Sequence, residues 1–244
     1  MTIGTTTTLL VNRDDIISAS LRLLEVIGVG ETPEIEDFTN SAQALNIMVK
    51  AWQIDGYKLW AVKDLSLPLV SGNATYQIGP SATGTGALVT DRPLRLQDSC
   101  YIRDSNGHDT SVMIVSRQEY NILGAKSSPA TPTQIFYDPQ LTNGVLTVFP
   151  APVDSTHTLH LIVQKPLADF NLSTDNPDFP QEWYQALKWG LAAELGLEYG
   201  VPERKIARIE QKAAIFKEQL NNWSQEEADV YFVPDSRMTF SGGA

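Results

Sequence analysis

The sequence predicts an α+β protein: an antiparallel four-helix bundle, made from one helical hairpin at each end of the chain, with an antiparallel β domain (sandwich or barrel-like) inserted between them. Three observations predict it. Apolar residues recur at alternating three- and four-residue spacing near both ends of the chain, the signature of a helix with one buried stripe. The middle changes to a period of two, punctuated by Gly, Asn and Pro, as short strands and turns require. The two terminal hairpins also carry matching apolar stripes, which bury most completely against each other. The pattern assigns residues 13–60 and 178–228 to the helices, 61–177 to the β domain and 229–244 to an extended C-terminal tail.

The first helix is predicted over residues 14–27, with Ile16, Ile17, Leu23, Leu24 and Ile27 on one side, Asn12 or Asp14 as its cap and Gly28 as its end. Pro33 suits the first turn of the second helix, whose stripe is Ile35, Phe38, Ala42, Leu45, Val49 and Trp52, closed by Gly56. From Leu65 the alternation Leu65, Leu67, Leu69 runs into a Ser71-Gly72-Asn73 turn and then Thr75, Tyr76, Gln77 and Ile78, which reads as a hairpin. Pro68 cannot donate to a ladder and places its strand at a sheet edge. Further strands are predicted at 94–96, 99–103 and 111–115, with a turn at 104–107, then a short helix at 116–123. Segments 134–137 and 145–149 flank Asn143-Gly144, a hairpin signal because both residues tolerate positive φ; one more strand is predicted at 157–164. Trp183, Tyr184, Leu187, Leu191 and Leu195 then line one helix that stops near Gly200, and Pro202 opens the last, with Ile206, Ile209, Ala213, Phe216, Leu220 and Trp223.

At 244 residues, 42% hydrophobic and 19% charged, the composition is that of a globular chain with one sizeable core, or one core and an appended subdomain. No apolar run approaches the ~18 residues of a spanning helix, and the N-terminal MTIGTTTTLLVNRDD lacks the basic start and apolar stretch of a signal peptide, so no membrane association is expected. The lone Cys100 excludes an intramolecular disulfide and a Cys-rich metal site; it reads as a buried strand residue. Charge is uneven. Residues 1–56 hold eight acids and three bases, 57–174 hold nine and eight, and 175–230 hold eleven and six. The acid is terminal, and no basic face for gripping phosphates is apparent, which argues against specific DNA recognition.

Signals of catalysis are weak. The chain has no GxGxxG, P-loop, GxSxG or HExxH. His157 and His160 are three apart on a predicted strand and so point to opposite faces, while His108 follows a turn glycine. Carboxylates such as Glu34, Glu36, Glu182 and Glu194 sit beside polar neighbours on helices and read as solvated or intersubunit charge. Trp52, Trp183 and Trp223 fit the apolar stripes and read as core; Trp60 and Trp189 are less constrained. No catalytic residue, metal site or cofactor is assigned. The tail, from Val230 to Phe240, is aromatic but aperiodic, the character of a segment that orders against a partner.

The segment Ala44-Leu45-Asn46-Ile47-Met48-Val49-Lys50-Ala51-Trp52-Gln53-Ile54-Asp55-Gly56-Tyr57-Lys58-Leu59-Trp60-Ala61 resembles a helix of phage head-to-tail adaptors. So do Ser71-Gly72-Asn73-Ala74-Thr75-Tyr76-Gln77-Ile78-Gly79-Pro80, Tyr137-Asp138-Pro139 followed by Gly144-Val145-Leu146-Thr147-Val148-Phe149-Pro150, and Trp183-Tyr184-Gln185-Ala186-Leu187-Lys188-Trp189-Gly190-Leu191. The likeness spans residues 13–223 in the expected order. It is to the adaptor, or connector, proteins of short-tailed bacteriophages, of the tail tubular protein A and packaged-DNA stabilisation type. The resemblance implies a virion structural protein of the phage neck, present in the host cytoplasm during assembly, and not an enzyme. It implies a homo-oligomeric, dodecameric ring bound to the portal protein and to the tail nozzle protein, with tail fibres as further contacts and packaged DNA passing through the lumen. From the tail's character and the resemblance together, Tyr231, Phe232, Val233, Arg237, Met238 and Phe240 are the expected portal contacts. Glu194, Glu198, Glu203 and Glu210 are expected to face the channel or a neighbouring subunit, since an acid-lined lumen repels DNA phosphates. The competing readings are a tail-associated peptidoglycan hydrolase and a carbohydrate- or receptor-binding β module.

Overall fold

The computed structural model describes residues 11–54, 61–126, 128–170, 172 and 180–223. Among these residues, helices and sheets make a mixed α+β fold with two hydrophobic cores, one among the helices and one between the sheets.

Helix α1 (Arg13–Leu24) begins at a reciprocal cap: the Asn12 side chain accepts from the Asp15 N–H, and the Asp15 carboxylate accepts from the Asn12 N–H, satisfying two orphan donors at once. Asn12, not Asp14, is therefore the cap. The helix ends earlier than the predicted Gly28. Glu25 takes the left-handed conformation at φ 63°, and its N–H and that of Val26 close back onto Arg22 and Leu21. Helix α2 (Ile35–Ile54) starts after Pro33, which is buried just outside the helix rather than in its first turn. Ile35, predicted for the buried stripe, is exposed; Leu45, Val49 and Trp52 are buried as predicted, and Ser41 and Met48 join them.

Two further helices complete that core: α4 (Tyr184–Glu198), entered through a 3-10 turn at Gln181–Trp183, and α5 (Glu203–Trp223). Between the first and last pairs of helices lies α3 (Arg117–Ile122), capped by Ser116 at the predicted place. Helix α4 packs against all three long partners. Ser20 shares its hydroxyl between the carbonyls of Ile16 and Lys188, and Leu24 lies against Gly196, so α1 and α4 run in the same direction. Trp52 meets Trp183 with ring centroids 6.2 Å apart, and Asp37 meets Tyr199 at the other end, so α2 runs opposite to α4. Ile206 against Gly196 and Phe216 against Trp189 set α5 opposite to α4 as well. Of the predicted stripes, Trp183, Leu187, Leu191, Leu195, Ile206, Ile209 and Leu220 are buried. The side chain of Trp223, and Gly56 with Trp60, lie outside the described residues.

The middle of the chain forms two five-stranded sheets. The first runs β1 (Val62–Pro68), β12 (Thr158–Gln164), β5 (Tyr101–Arg103), β6 (Asp109–Ser111), with β4 (Arg95–Leu96) also paired to β12. The second runs β3 (Leu88–Val89), β2 (Thr75–Gly79), β10 (Gly144–Phe149), β9 (Gln134–Asp138), β7 (Met113–Ile114). A two-stranded pair joins β8 (Pro129–Ala130) to β11 (Ala151–Pro152). Leu65, Leu67, Leu159 and Leu161 of the first sheet and Tyr76, Ile78, Ile135 and Leu146 of the second share one core. Pro68 is on an edge strand, as its missing donor requires.

Three expectations are corrected. The strands before and after Ser71-Gly72-Asn73 do not form a hairpin: β1 pairs with β12 and β2 pairs with β10. The turn passes the chain from one sheet to the other, so both strands face the same core from opposite sides. The predicted strand 111–115 is split, its first part pairing with β5 and its last part with β9. The sheets are also not wholly antiparallel. Strands β2 and β3, β7 and β9, and β8 and β11 pair in parallel; the β7–β9 pair is possible because α3 and its flanking loops supply the crossover that parallel strands need.

Two tyrosines fasten the two cores. Tyr199 donates to the Asp37 carboxylate at 2.7 Å, and Tyr137 donates to the Pro93 carbonyl at 2.7 Å. Burial first, with donation to Asp37 adding at Tyr199, pushes each phenol up to about 12 from an ordinary 10.0. Because the folded value lies above the unfolded one, their contribution to stability is complete below pH 10 and is lost as pH rises towards 12. Phenolate absorbance should show late-titrating tyrosines, and the decline in unfolding free energy across this window should shrink in Tyr199→Phe and in Tyr137→Phe. An unchanged decline in both variants would assign the alkaline sensitivity to other groups.

Candidate interaction surfaces

The four acids singled out from the sequence are all exposed. Glu194 and Glu198 are four apart on α4 and Glu203 and Glu210 seven apart on α5, so each pair shares one face of its helix. Helix α5, however, is not an acidic wall. It holds five bases, Arg204, Lys205, Arg208, Lys212 and Lys217, against three acids, Glu203, Glu210 and Glu218. Regional charge totals hide this, because the remaining acids of the C-terminal region lie outside α5. Arg204, Lys205 and Arg208 line an open cavity of about 520 Å³ with Pro202 and Glu25. The expectation of no basic face is thus corrected: a local one exists where α5 begins. Three bases within five residues was the sequence signal for it. A second, more apolar hollow of about 300 Å³ lies between α4 and α5, lined by Glu182, Gln185, Ala186, Phe216, Gln219 and Leu220.

The expected portal contacts, Tyr231, Phe232, Val233, Arg237, Met238 and Phe240, lie outside the described residues. They begin eight residues after the end of α5 in the chain.

The arrangements that could suggest chemistry have other geometries. Ser66, His160 and Asp64 come together on the outer face of the first sheet, the residue types of a hydrolytic triad. Both the serine, at 3.4 Å, and the aspartate, at 3.3 Å, approach the same ring nitrogen, Nδ1. A triad needs the base oriented through one nitrogen and the nucleophile held at the other, so this cluster does not activate Ser66. The His160 ring instead stacks on Tyr101 at 4.6 Å. His108 and His157 each sit against their own carboxylate, Asp104 and Asp154. No three metal-ligating side chains converge among the described residues.

For glycan stacking, Trp52 and Trp183 are buried in the helical core and offer no surface. Trp189 is half-buried against Phe216. On the β region, Tyr120 stacks on Phe136 at 5.8 Å, but the outer rings are covered by cations, Lys126 over Tyr120 and Arg117 over Phe136. Sequence reasoning did not find this four-member stack, in which Arg117 and Tyr120 of α3 and Lys126 just after it meet Phe136 of β9. No helix among the described residues is long and apolar enough to cross a membrane.

No individual curated protein matches the chain. A family model does, over residues 11–237, a span that takes in the helices, the β region and most of the tail. The likeness read from four separate segments agrees with that match, and the chain belongs to the SU10 adaptor protein family.

Proposed function

We propose that this chain is the head-to-tail adaptor subunit of a short-tailed phage, a structural protein of the virion neck that assembles as a ring, dodecameric in the resemblance, between the portal and the tail nozzle. The observation that carries the reading is the extent of the family match, which runs from just before α1 to Arg237 in the tail. In this reading residues 13–60 and 178–228 make an antiparallel four-helix bundle that forms the ring wall. Residues 61–177 project from it as the β domain, available to nozzle and tail-fibre proteins, and 229–244 reach the portal. The ring lets DNA pass and helps retain it after packaging. Exposed Glu194 and Glu198 on α4 suit a surface that should not hold phosphates; Glu203 and Glu210, set among the α5 bases, suit a subunit boundary.

The tail supplies the portal contact through Tyr231, Phe232, Val233, Arg237, Met238 and Phe240. Large aromatics and an arginine are the side chains that most often carry binding energy at protein interfaces. The test is electron microscopy of the protein mixed with its cognate portal, beside a chain truncated after Asp229. The expected result is an added ring of density on one face of the portal, lost on truncation. Density that survives truncation would keep the adaptor role and move the contact into the folded part. Failure of the full chain to bind would overturn the reading, and lysis of cell-wall preparations or binding to host glycans would then replace it.

A further inference from the structure

The start of α5 carries more positive charge than its own acids offset. A helix N-terminus carries partial positive charge, and here Arg204, Lys205 and Arg208 crowd the first turns around one open cavity. Glu203 in the first turn and Glu25, paired with Lys205 at 3.0 Å, offset part of this. Arg204 and Arg208 are exposed and make no ion pair among the described residues. The site therefore matches a partner that brings carboxylates.

The corner between α1 and α2 has the complementary character. Residues 23–49 contain no Lys or Arg and five acids, Glu25, Glu31, Glu34, Glu36 and Asp37. Glu34 and Glu36 are exposed and make no ion pair among the described residues. Beside them Val29 is 98% and Ile35 84% exposed. Apolar side chains set among carboxylates give this corner the composition of an interface, with apolar anchors and a charged rim.

Position links the two surfaces. The Lys205–Glu25 and Tyr199–Asp37 contacts put the cationic cavity and the acidic corner at the same end of the helices. A ring is generated by rotation about one axis, which leaves the height of every patch unchanged. A head-to-tail interface in such a ring joins two different patches at one level, which these two patches share in a ring whose axis follows the helices; that orientation is part of the inference. We infer that the acidic corner, residues 29–37, of one copy seats in the α5 cavity of the next copy. Glu34 and Glu36 pair there with Arg204 and Arg208, and Val29 and Ile35 cover the adjoining surface. The inference rests on the ring reading above.

The test uses two full-length double variants, Arg204→Glu with Arg208→Glu and Glu34→Lys with Glu36→Lys. Assembly is followed by native mass spectrometry and electron microscopy over a concentration series, alone and with portal. Each variant by itself sets like charges against each other and should raise the concentration needed for assembly roughly tenfold or more. An equimolar mixture restores opposite charges at every junction and should assemble as the wild type does. All four positions are exposed, so the fold should be retained; should a reversal impair folding, Arg204→Gln with Arg208→Gln removes the charge more gently and is expected to weaken assembly. Wild-type rings that persist in both variants would overturn this interface and leave the ring reading standing. Variants that fail to assemble and are not rescued by mixing would assign the cavity to another acidic partner and overturn the pairing. Intact assembly with reduced, salt-sensitive binding of duplex DNA in the arginine variant would make the cavity a phosphate contact and overturn it too. A wild type that never forms rings, with or without portal, would overturn the ring reading and the interface together.

Discussion

Replacing Trp183 by alanine is expected to cost about 3–5 kcal/mol, the range for deleting a large buried aromatic, and to lower the melting temperature by roughly 6–20 °C at ~2–4 °C per kcal/mol for a chain of this size. Trp183 is 2% exposed and among the largest fully buried side chains. It ends the 3-10 turn that leads into α4, and its ring meets that of Trp52 at 6.2 Å. Trp52 in turn occupies the space left open at Gly190, where a Cβ would lie 2.8 Å from the indole, and carries Lys217 of α5 at 5.5 Å over its ring. Three helices thus converge on one indole pair, and a void there cannot be closed by moving any one of them. Differential scanning calorimetry of Trp183→Ala beside Trp189→Ala checks this. Trp189 is half-buried at the edge of the same core, so its loss should be the smaller; equal shifts would show that Trp183 has no special place.

The helical half of the fold was legible because a stripe at three-to-four spacing fixes both the element and its buried face. Leu45, Val49, Leu187, Leu191 and Leu195 were read as core and are core. Where a helix ends was less legible: the end of α1 depends on Glu25 adopting a left-handed conformation, for which the sequence offers no glycine. In the β region the alternation of Leu65, Leu67 and Leu69 put three side chains on one face, and that face is buried. Alternation could not say that β1 and β2 belong to different sheets, since a period of two specifies which way a side chain points and not which strand lies alongside. The surfaces divide in the same way. Exposure of the four glutamates followed from their position on helices. The grouping of Arg204, Lys205 and Arg208 around one cavity with Glu25 needed the fold, because Glu25 is far from them in the chain. For the tail, aromatic content gave a reason to expect a partner, and the match through Arg237 shows that the family extends into it.

Gly144→Leu is expected to destabilise the β core by about 1–3 kcal/mol through overpacking, with a further loss of ~0.5–1.5 kcal/mol from a broken hydrogen bond. The sequence presents Asn143-Gly144 as a turn in which both residues tolerate positive φ. The structure gives the glycine a different task. Gly144 is the first residue of β10, and the left-handed residue of the connection is Thr142, at φ 71°. A Cβ on Gly144 would run into the Tyr137 hydroxyl and ring from the neighbouring strand. The tyrosine cannot simply swing away, because its hydroxyl is fixed to the Pro93 carbonyl at 2.7 Å and its ring packs on the core of the two sheets. Any side chain at 144 therefore displaces the ring and leaves that carbonyl unpaired. The two explanations for this loop separate experimentally. If space is what matters, Gly144→Leu combined with Tyr137→Ala should lose much less than the two single changes added together. Thr142→Asn, which puts a residue tolerant of left-handed backbone where a β-branched one now stands, should raise stability by up to about 1 kcal/mol. Denaturant midpoints of the four chains decide the matter: additive losses in the double variant would return Gly144 to a role in the turn, and a destabilised Thr142→Asn would remove the strain assigned to position 142.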